Sequence, residues 1–126
     1  MAQFLWVCFG GALGTGARYL LSGWMAKTLG AAFPFGTLAV NVIGSFVIAV
    51  VVYTATESAA ISPTLRVVLA TGVLGGFTTY SAFSLETLAL AHNGAWTTAA
   101  LYVLGTLLGC VLACQLGWSA AKWLVA

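Results

Sequence analysis

The sequence predicts an all-α membrane protein with four transmembrane helices, the third of them broken near the midplane, assembled as an antiparallel dual-topology homodimer. Three observations lead there. Charged residues make up only 5% of the chain against 62% hydrophobic residues, a ratio with which no water-soluble domain of this size covers its surface. Four apolar stretches of about 20 residues each fill nearly the whole length, and each is long enough to cross a bilayer as a helix. Lysine and arginine are balanced between the two ends of those stretches, so the charge rule that orients membrane helices gives almost no direction.

Residues 1–126 are expected to form one four-helix transmembrane domain. No region remains for a soluble domain or a nucleic-acid interface, and a net charge of +2 is too small to argue for a nucleic-acid partner. No cleavable leader is expected, because the first apolar run has full span length and lacks a cleavage pattern. Cys8, Cys110 and Cys114 lie inside apolar segments, and three thiols so placed give no disulfide framework. One histidine and two acids, far apart in sequence, do not suggest a metal cluster. Nucleotide-binding loops, a Ser-His-Asp set and metal motifs are all absent from the sequence, so an enzyme is not expected.

The first span runs from about Phe4 to Met25. Gly10 and Gly14 stand at the spacing that lets two helices approach closely. Arg18 lies toward its end, ahead of an amphipathic turn from Tyr19 to Lys27. It reads either as a side chain snorkelling to the interface or as a cation in a vestibule that attracts anions. A loop with Pro34 leads to the second span, from about Thr37 to Thr54. Thr37, Asn41 and Ser45 are spaced i, i+4, i+8 and share one helix face. Asn41 in hydrocarbon needs a partner. It is either an interhelical hydrogen-bonding residue or an amide donor facing a pore.

The third span begins at Arg66 and contains the stretch around which the chain is organised, Thr71 to Ser84. Gly72, Gly75, Gly76, Thr78 and Thr79 make helix costly there. An interrupted helix at membrane depth survives only where protein or a water-filled cavity satisfies the freed backbone groups, which suggests carbonyls and N–H groups turned toward an ion. A glycine-rich packing crossing is the plainer reading of the same residues. Beyond it Tyr80, Phe83 and Thr87 share a helix face flanked by Ser81 and Ser84, with Glu86 one turn after Phe83. The fourth span runs from about Trp96 to Trp118. Gly105 and Gly109 offer a packing seam, Thr106, Cys110 and Cys114 form a weakly polar stripe, and Trp96, Trp118 and Trp123 suit the interfacial belt.

Four spans put the N-terminus, the Glu57–Arg66 loop and the C-terminus on one side with Arg66 and Lys122. Lys27 and the Arg18 end of the first helix face the other. A chain with so little bias can insert both ways, and two opposed copies can pair about a two-fold axis in the membrane plane. Four helices are also few to enclose a polar path alone.

Gly10-Gly11-Ala12-Leu13-Gly14 with Arg18-Tyr19, Gly36-Thr37-Leu38-Ala39-Val40-Asn41, and the run from Thr71 to Glu86 together resemble the CrcB/Fluc fluoride channels. The match covers nearly the whole chain, in the family's order and spacing. The resemblance implies a passive fluoride channel in the bacterial inner membrane, built as a dual-topology antiparallel homodimer with two parallel pores. It implies a structural Na⁺ at the dimer centre, held by the backbone carbonyls of Gly75 and Thr78. Carried over by position, the pore aromatics fall on Tyr80 and Phe83, the pore amide on Asn41, the third-span hydroxyls on Ser81 and Ser84, and the vestibule cation on Arg18; Thr37, on the Asn41 face, is expected in the pore as well. Tyr80 replaces the usual phenylalanine, Ala82 the usual threonine between the aromatics, and Cys110 a hydroxyl of the fourth span. A buried Tyr80 hydroxyl would need a partner such as Thr106 or a water.

The alternative is a small multidrug-resistance-type proton-coupled transporter. That class needs a membrane-embedded acid in its first span, which this sequence lacks. A further alternative is a non-transporting assembly subunit whose glycines serve packing alone.

Overall fold

The computed structural model describes residues 1–125, and every secondary-structure element among them is helical. Four helical stretches are long and apolar enough to cross a membrane: Ala2–Leu29, Phe35–Glu57, Pro63–His92 and Trp96–Val125. In chain order the helices are α1 (Ala2–Leu29), α2 (Phe35–Glu57), α3 (63–77), α4 (Tyr80–His92) and α5 (Trp96–Val125). Within α3, Pro63–Val67 and Gly75–Phe77 are α-helical and Val68–Leu74 has the wider π geometry.

Helices α1 and α5 outrun the apolar stretches that mark them, continuing past Met25 to Leu29 and past Trp118 to Val125. Hydropathy marks the hydrocarbon slab, whereas helical hydrogen bonding continues into the interface until a residue stops it. Gly30, at φ 83°, stops α1. Lys27 and Lys122 lie in the two last turns, where a cation complements the helix dipole. Ser62 caps α3 by accepting the Leu65 N–H at 3.2 Å, with Pro63 in the first turn, where its missing N–H costs nothing.

Thr78 and Thr79 carry extended backbone between Phe77 and Tyr80 (ψ 160° and 115°). Threonine favours this role because its side chain competes for backbone partners. The Thr78 hydroxyl donates back to the Leu74 carbonyl at 3.0 Å, and the Thr79 hydroxyl caps α4 by accepting the Ala82 N–H at 3.3 Å. Gly72, Gly75 and Gly76 are helical. Two of these glycines serve contact with α1: a Cβ on Gly76 would fall 2.5 Å from the Gly11 carbonyl oxygen, and one on Gly72 2.8 Å from that of Val7. Reciprocally, a Cβ on Gly14 would overlap the Val73 carbonyl, so α1 and α3 meet backbone to backbone.

The most extensive contact joins α2 and α5. Gly117 brings them together at the Phe46 carbonyl, and the rings of Tyr53 and Trp118 meet edge to face at 4.9 Å. On this seam Gly109 approaches Val42 whereas Gly105 faces open space, so the expected Gly105–Gly109 pair contributes one member. Among the described residues, Val40 and Tyr102 are the largest side chains sealed completely from solvent. The outer faces of α1 and α5 are lined with exposed Phe4, Trp6, Phe9, Leu108 and Leu112, the composition that a lipid-facing surface requires.

Candidate functional site

The extended pair at 78–79 leaves backbone polar groups that no helix satisfies, and a side chain of α2 answers two of them. Asn41 Nδ2 donates to the Thr79 carbonyl at 3.0 Å, and the Thr79 N–H donates to Asn41 Oδ1 at 2.7 Å. Both residues are buried. The paired bonds resemble one rung of a sheet ladder made by a carboxamide, and one N–H of Nδ2 remains available. Ser45, one turn on, donates its hydroxyl to the Asn41 carbonyl at 2.7 Å.

A cavity of about 400 Å³ opens beside this clamp, lined by Asn41, Ser45, Thr79, Tyr80, Phe83 and Thr106. Gly75, Thr78 and Cys110 also reach it. The Tyr80 and Phe83 rings lie 5.5 Å apart at a tilt of 53°, with Phe83 buried and Tyr80 75% exposed. Thr106 is 5% exposed, and its Oγ1 has no hydrogen-bond partner among the described residues. It is therefore not the partner of the Tyr80 hydroxyl. A buried hydroxyl beside a cavity can take its hydrogen bond from whatever fills that cavity, water included.

A second cavity, about 740 Å³, also reaches Thr79 and takes in Arg18, Lys27, Thr37, Ala82 and Glu86. Arg18 is half-buried, and its Nη1 reaches the Thr78 carbonyl at 3.5 Å, the long limit of a hydrogen bond. Glu86 accepts from the Thr37 hydroxyl through Oε1 at 2.8 Å and from the Tyr102 hydroxyl through Oε2 at 2.6 Å. A third cavity, about 230 Å³ under the α1–α2 loop, shares Thr37 and Glu86 with the second. Thr79 thus lines the first two cavities and Glu86 the last two, so polar groups follow one another from Thr106 to the loop.

Of the residues singled out by sequence, Asn41, Tyr80, Phe83, Gly75 and Thr78 gather at the first cavity, and Arg18 and Thr37 at the second. Ser81 and Ser84 are exposed on α4 and line neither. Their hydroxyls are engaged locally, Ser81 with the Thr79 hydroxyl at 3.3 Å and Ser84 by donation to the Tyr80 carbonyl at 3.0 Å. Four residues with a clear place in the geometry, Thr79, Glu86, Tyr102 and Thr106, were not among the expected site residues. A lone acid in an apolar segment was the available signal for Glu86. For Tyr102 there was none, because nothing local distinguishes it from a packing aromatic.

Residues 5–118 match the family described as "CrcB-like protein, Camphor Resistance (CrcB)". A protein of Anaeromyxobacter dehalogenans is 52% identical, over 98% of this chain and 98% of its own length. One from Sorangium cellulosum is 48% identical over 100% of this chain and 99% of its own, and one from Magnetococcus marinus 47% identical over 91% and 94%. All three bear the name "Fluoride-specific ion channel FluC".

Proposed function

The chain belongs to the CrcB-like family, and from that premise we propose that it is a fluoride-specific ion channel of the bacterial inner membrane, not an enzyme. The observation that carries this reading is near-half identity, over essentially the full length of both chains, to proteins named for that activity. The channel is passive. A membrane potential negative inside drives an anion outward by about 2.3 kcal/mol per 100 mV. Fluoride that enters an acidified cell as neutral HF dissociates inside, and an anion leak then lowers its concentration. The proton-coupled alternative gains no support, since α1 has no acidic residue to couple transport.

Fluoride is small and strongly hydrated, so its path must replace water without holding the ion. On our reading the ion passes the amide donor of Asn41 and the ring edges of Tyr80 and Phe83, and it passes Thr37, whose one hydroxyl proton is held by Glu86. The free Nδ2 hydrogen of Asn41 and the unpaired Thr106 hydroxyl suit that task. Positive ring edges face an anion favourably. Arg18 attracts anions toward Thr79 from the wider cavity. Ser81 and Ser84 join the path once a second chain encloses α4.

We assign the working form as an antiparallel homodimer whose third span is interrupted near the bilayer midplane at Thr78 and Thr79. Support comes from the unroofed side of the first cavity, where Tyr80, Leu107 and Val111 are exposed beside polar groups that hydrocarbon would not satisfy. A second copy laid there would cover them. A Na⁺ at the two-fold axis would be held by the Gly75 and Thr78 carbonyls of both copies. Two neutral oxygens per chain suit a hard monovalent ion, whose fixed charge favours anions nearby. Arg18 Nη1 also reaches the Thr78 carbonyl, at 3.5 Å, so the guanidinium and a bound ion would compete for that oxygen. Efflux of fluoride from liposomes holding the purified protein, with chloride as control, tests the function. Equal permeability to both anions, or to neither, would refute it.

A further inference from the structure

The α1–α2 loop carries a pair of rings that the proposed path does not use. Pro34 has φ −79° and ψ 62°, and the Phe35 N–H donates across it to the Phe33 carbonyl at 2.8 Å. This is an inverse γ-turn, and proline presets its φ. The tight turn brings the flanking rings of Phe33 and Phe35 together at 4.7 Å. Phe33 then meets Tyr102 nearly perpendicular, at 5.5 Å and 82°. Tyr102 is sealed from solvent, rests on Phe83 at 5.2 Å on another side, and gives its hydroxyl to Glu86. Five rings therefore run in contact from the loop to the first cavity: Phe35, Phe33, Tyr102, Phe83 and Tyr80. The same loop roofs the 230 Å³ cavity on which Thr37 and Glu86 open.

We infer that Phe33 is a positioning residue for conduction: held by the turn at Pro34, it fixes the Tyr102 ring, and through the Tyr102 hydroxyl it fixes the Glu86 carboxylate between the two cavities. The inference rests on the channel reading. Glu86 has two oxygens, one held by Thr37 from α2 and the other by Tyr102 from α5. If Tyr102 moves, the carboxylate swings toward Thr37 and changes the charge that an anion meets there.

The test is fluoride efflux from liposomes in a double-mutant cycle. Phe33→Leu keeps apolar bulk and removes the ring edge, and should slow fluoride efflux about tenfold. Phe33→Tyr restores the ring and should restore the rate. Tyr102→Phe cuts the link to Glu86, and in that background Phe33→Leu should slow efflux little further. Pro34→Ala loosens the turn without removing a ring and should slow efflux in the same direction. This variant keeps the question open to refutation if Phe33→Leu does not assemble. A purely structural role would move stability but would give effects of Phe33→Leu and Tyr102→Phe that multiply. Multiplying effects, or wild-type efflux in both Phe33→Leu and Pro34→Ala, would overturn the inference and leave the channel reading standing. Absence of fluoride efflux from the wild-type protein would overturn both.

Discussion

The carboxamide of Asn41 takes both hydrogen bonds that Thr79 offers, so exchanging its amide nitrogen for oxygen has a defined result. Asn41→Asp sets an acceptor against the Thr79 carbonyl, which loses a buried partner at about 1–3 kcal/mol, and brings a negative charge to the proposed path. Fluoride flux should vanish while the dimer persists on size exclusion; normal flux would remove Asn41 from the pore. The aromatic pair separates two further roles. Tyr80 is largely exposed and its ring lies 5.5 Å from that of Phe83, so Tyr80→Phe, which keeps the ring, should preserve fluoride selectivity and change the rate modestly. Phe83→Ile keeps apolar bulk but removes the ring edge, and flux should fall strongly. A dead Tyr80→Phe beside an active Phe83→Ile would shift the anion contact to the hydroxyl.

Among the elements, α1 and α3 owe their contact to glycines whose neighbours are backbone atoms that no rotamer change can move. A methyl on Gly14 overlaps the Val73 carbonyl, so Gly14→Ala must push the helices apart, at about 1–3 kcal/mol. Gly16 and Gly23 lie on the same helix with nothing within 4 Å of an added Cβ. There alanine should stabilise by roughly 0.5–1 kcal/mol, because glycine loses more chain entropy in a helix. Thermal unfolding in detergent should therefore shift down for Gly14→Ala and slightly up for Gly16→Ala. Equal shifts would mean that the close approach does not hold the pair together. Gly72 and Gly76 of α3 answer to the same demand, whereas the extended residues are two threonines that can cap and back-bond.

At the scale of the whole molecule, the balanced lysines and arginines leave orientation undecided, and the proposed second copy would cover the open polar cavity. A tag on the C-terminus should be reachable from both faces of one membrane; a single orientation in every vesicle would exclude the antiparallel pair. Exchange of Na⁺ for a much larger cation should weaken the dimer or slow fluoride flux, because a larger ion would not fit between the four carbonyls proposed to hold Na⁺. Full activity without Na⁺ would leave those carbonyls without that role.

Hydropathy is a property of consecutive residues, so the four spans and their membrane setting were legible in the chain itself. So was the weight of the Thr71–Ser84 stretch, because glycines, threonines and aromatics crowd into one apolar segment. The tertiary structure alone decided what those groups meet. Asn41 and Thr79 are 38 positions apart, Thr37 and Glu86 are 49 apart, and their bonds depend on how α2 lies against α3 and α4. Sequence could mark Asn41 and Glu86 as polar groups in need of partners, since burial without them is costly. It could not say which partners, because several hydroxyls and free backbone groups would serve equally until packing brought one within 3 Å. The same holds for Tyr102 and Phe33: each reads locally as apolar bulk, and only the meeting of the loop with α5 gives the pair a position to hold.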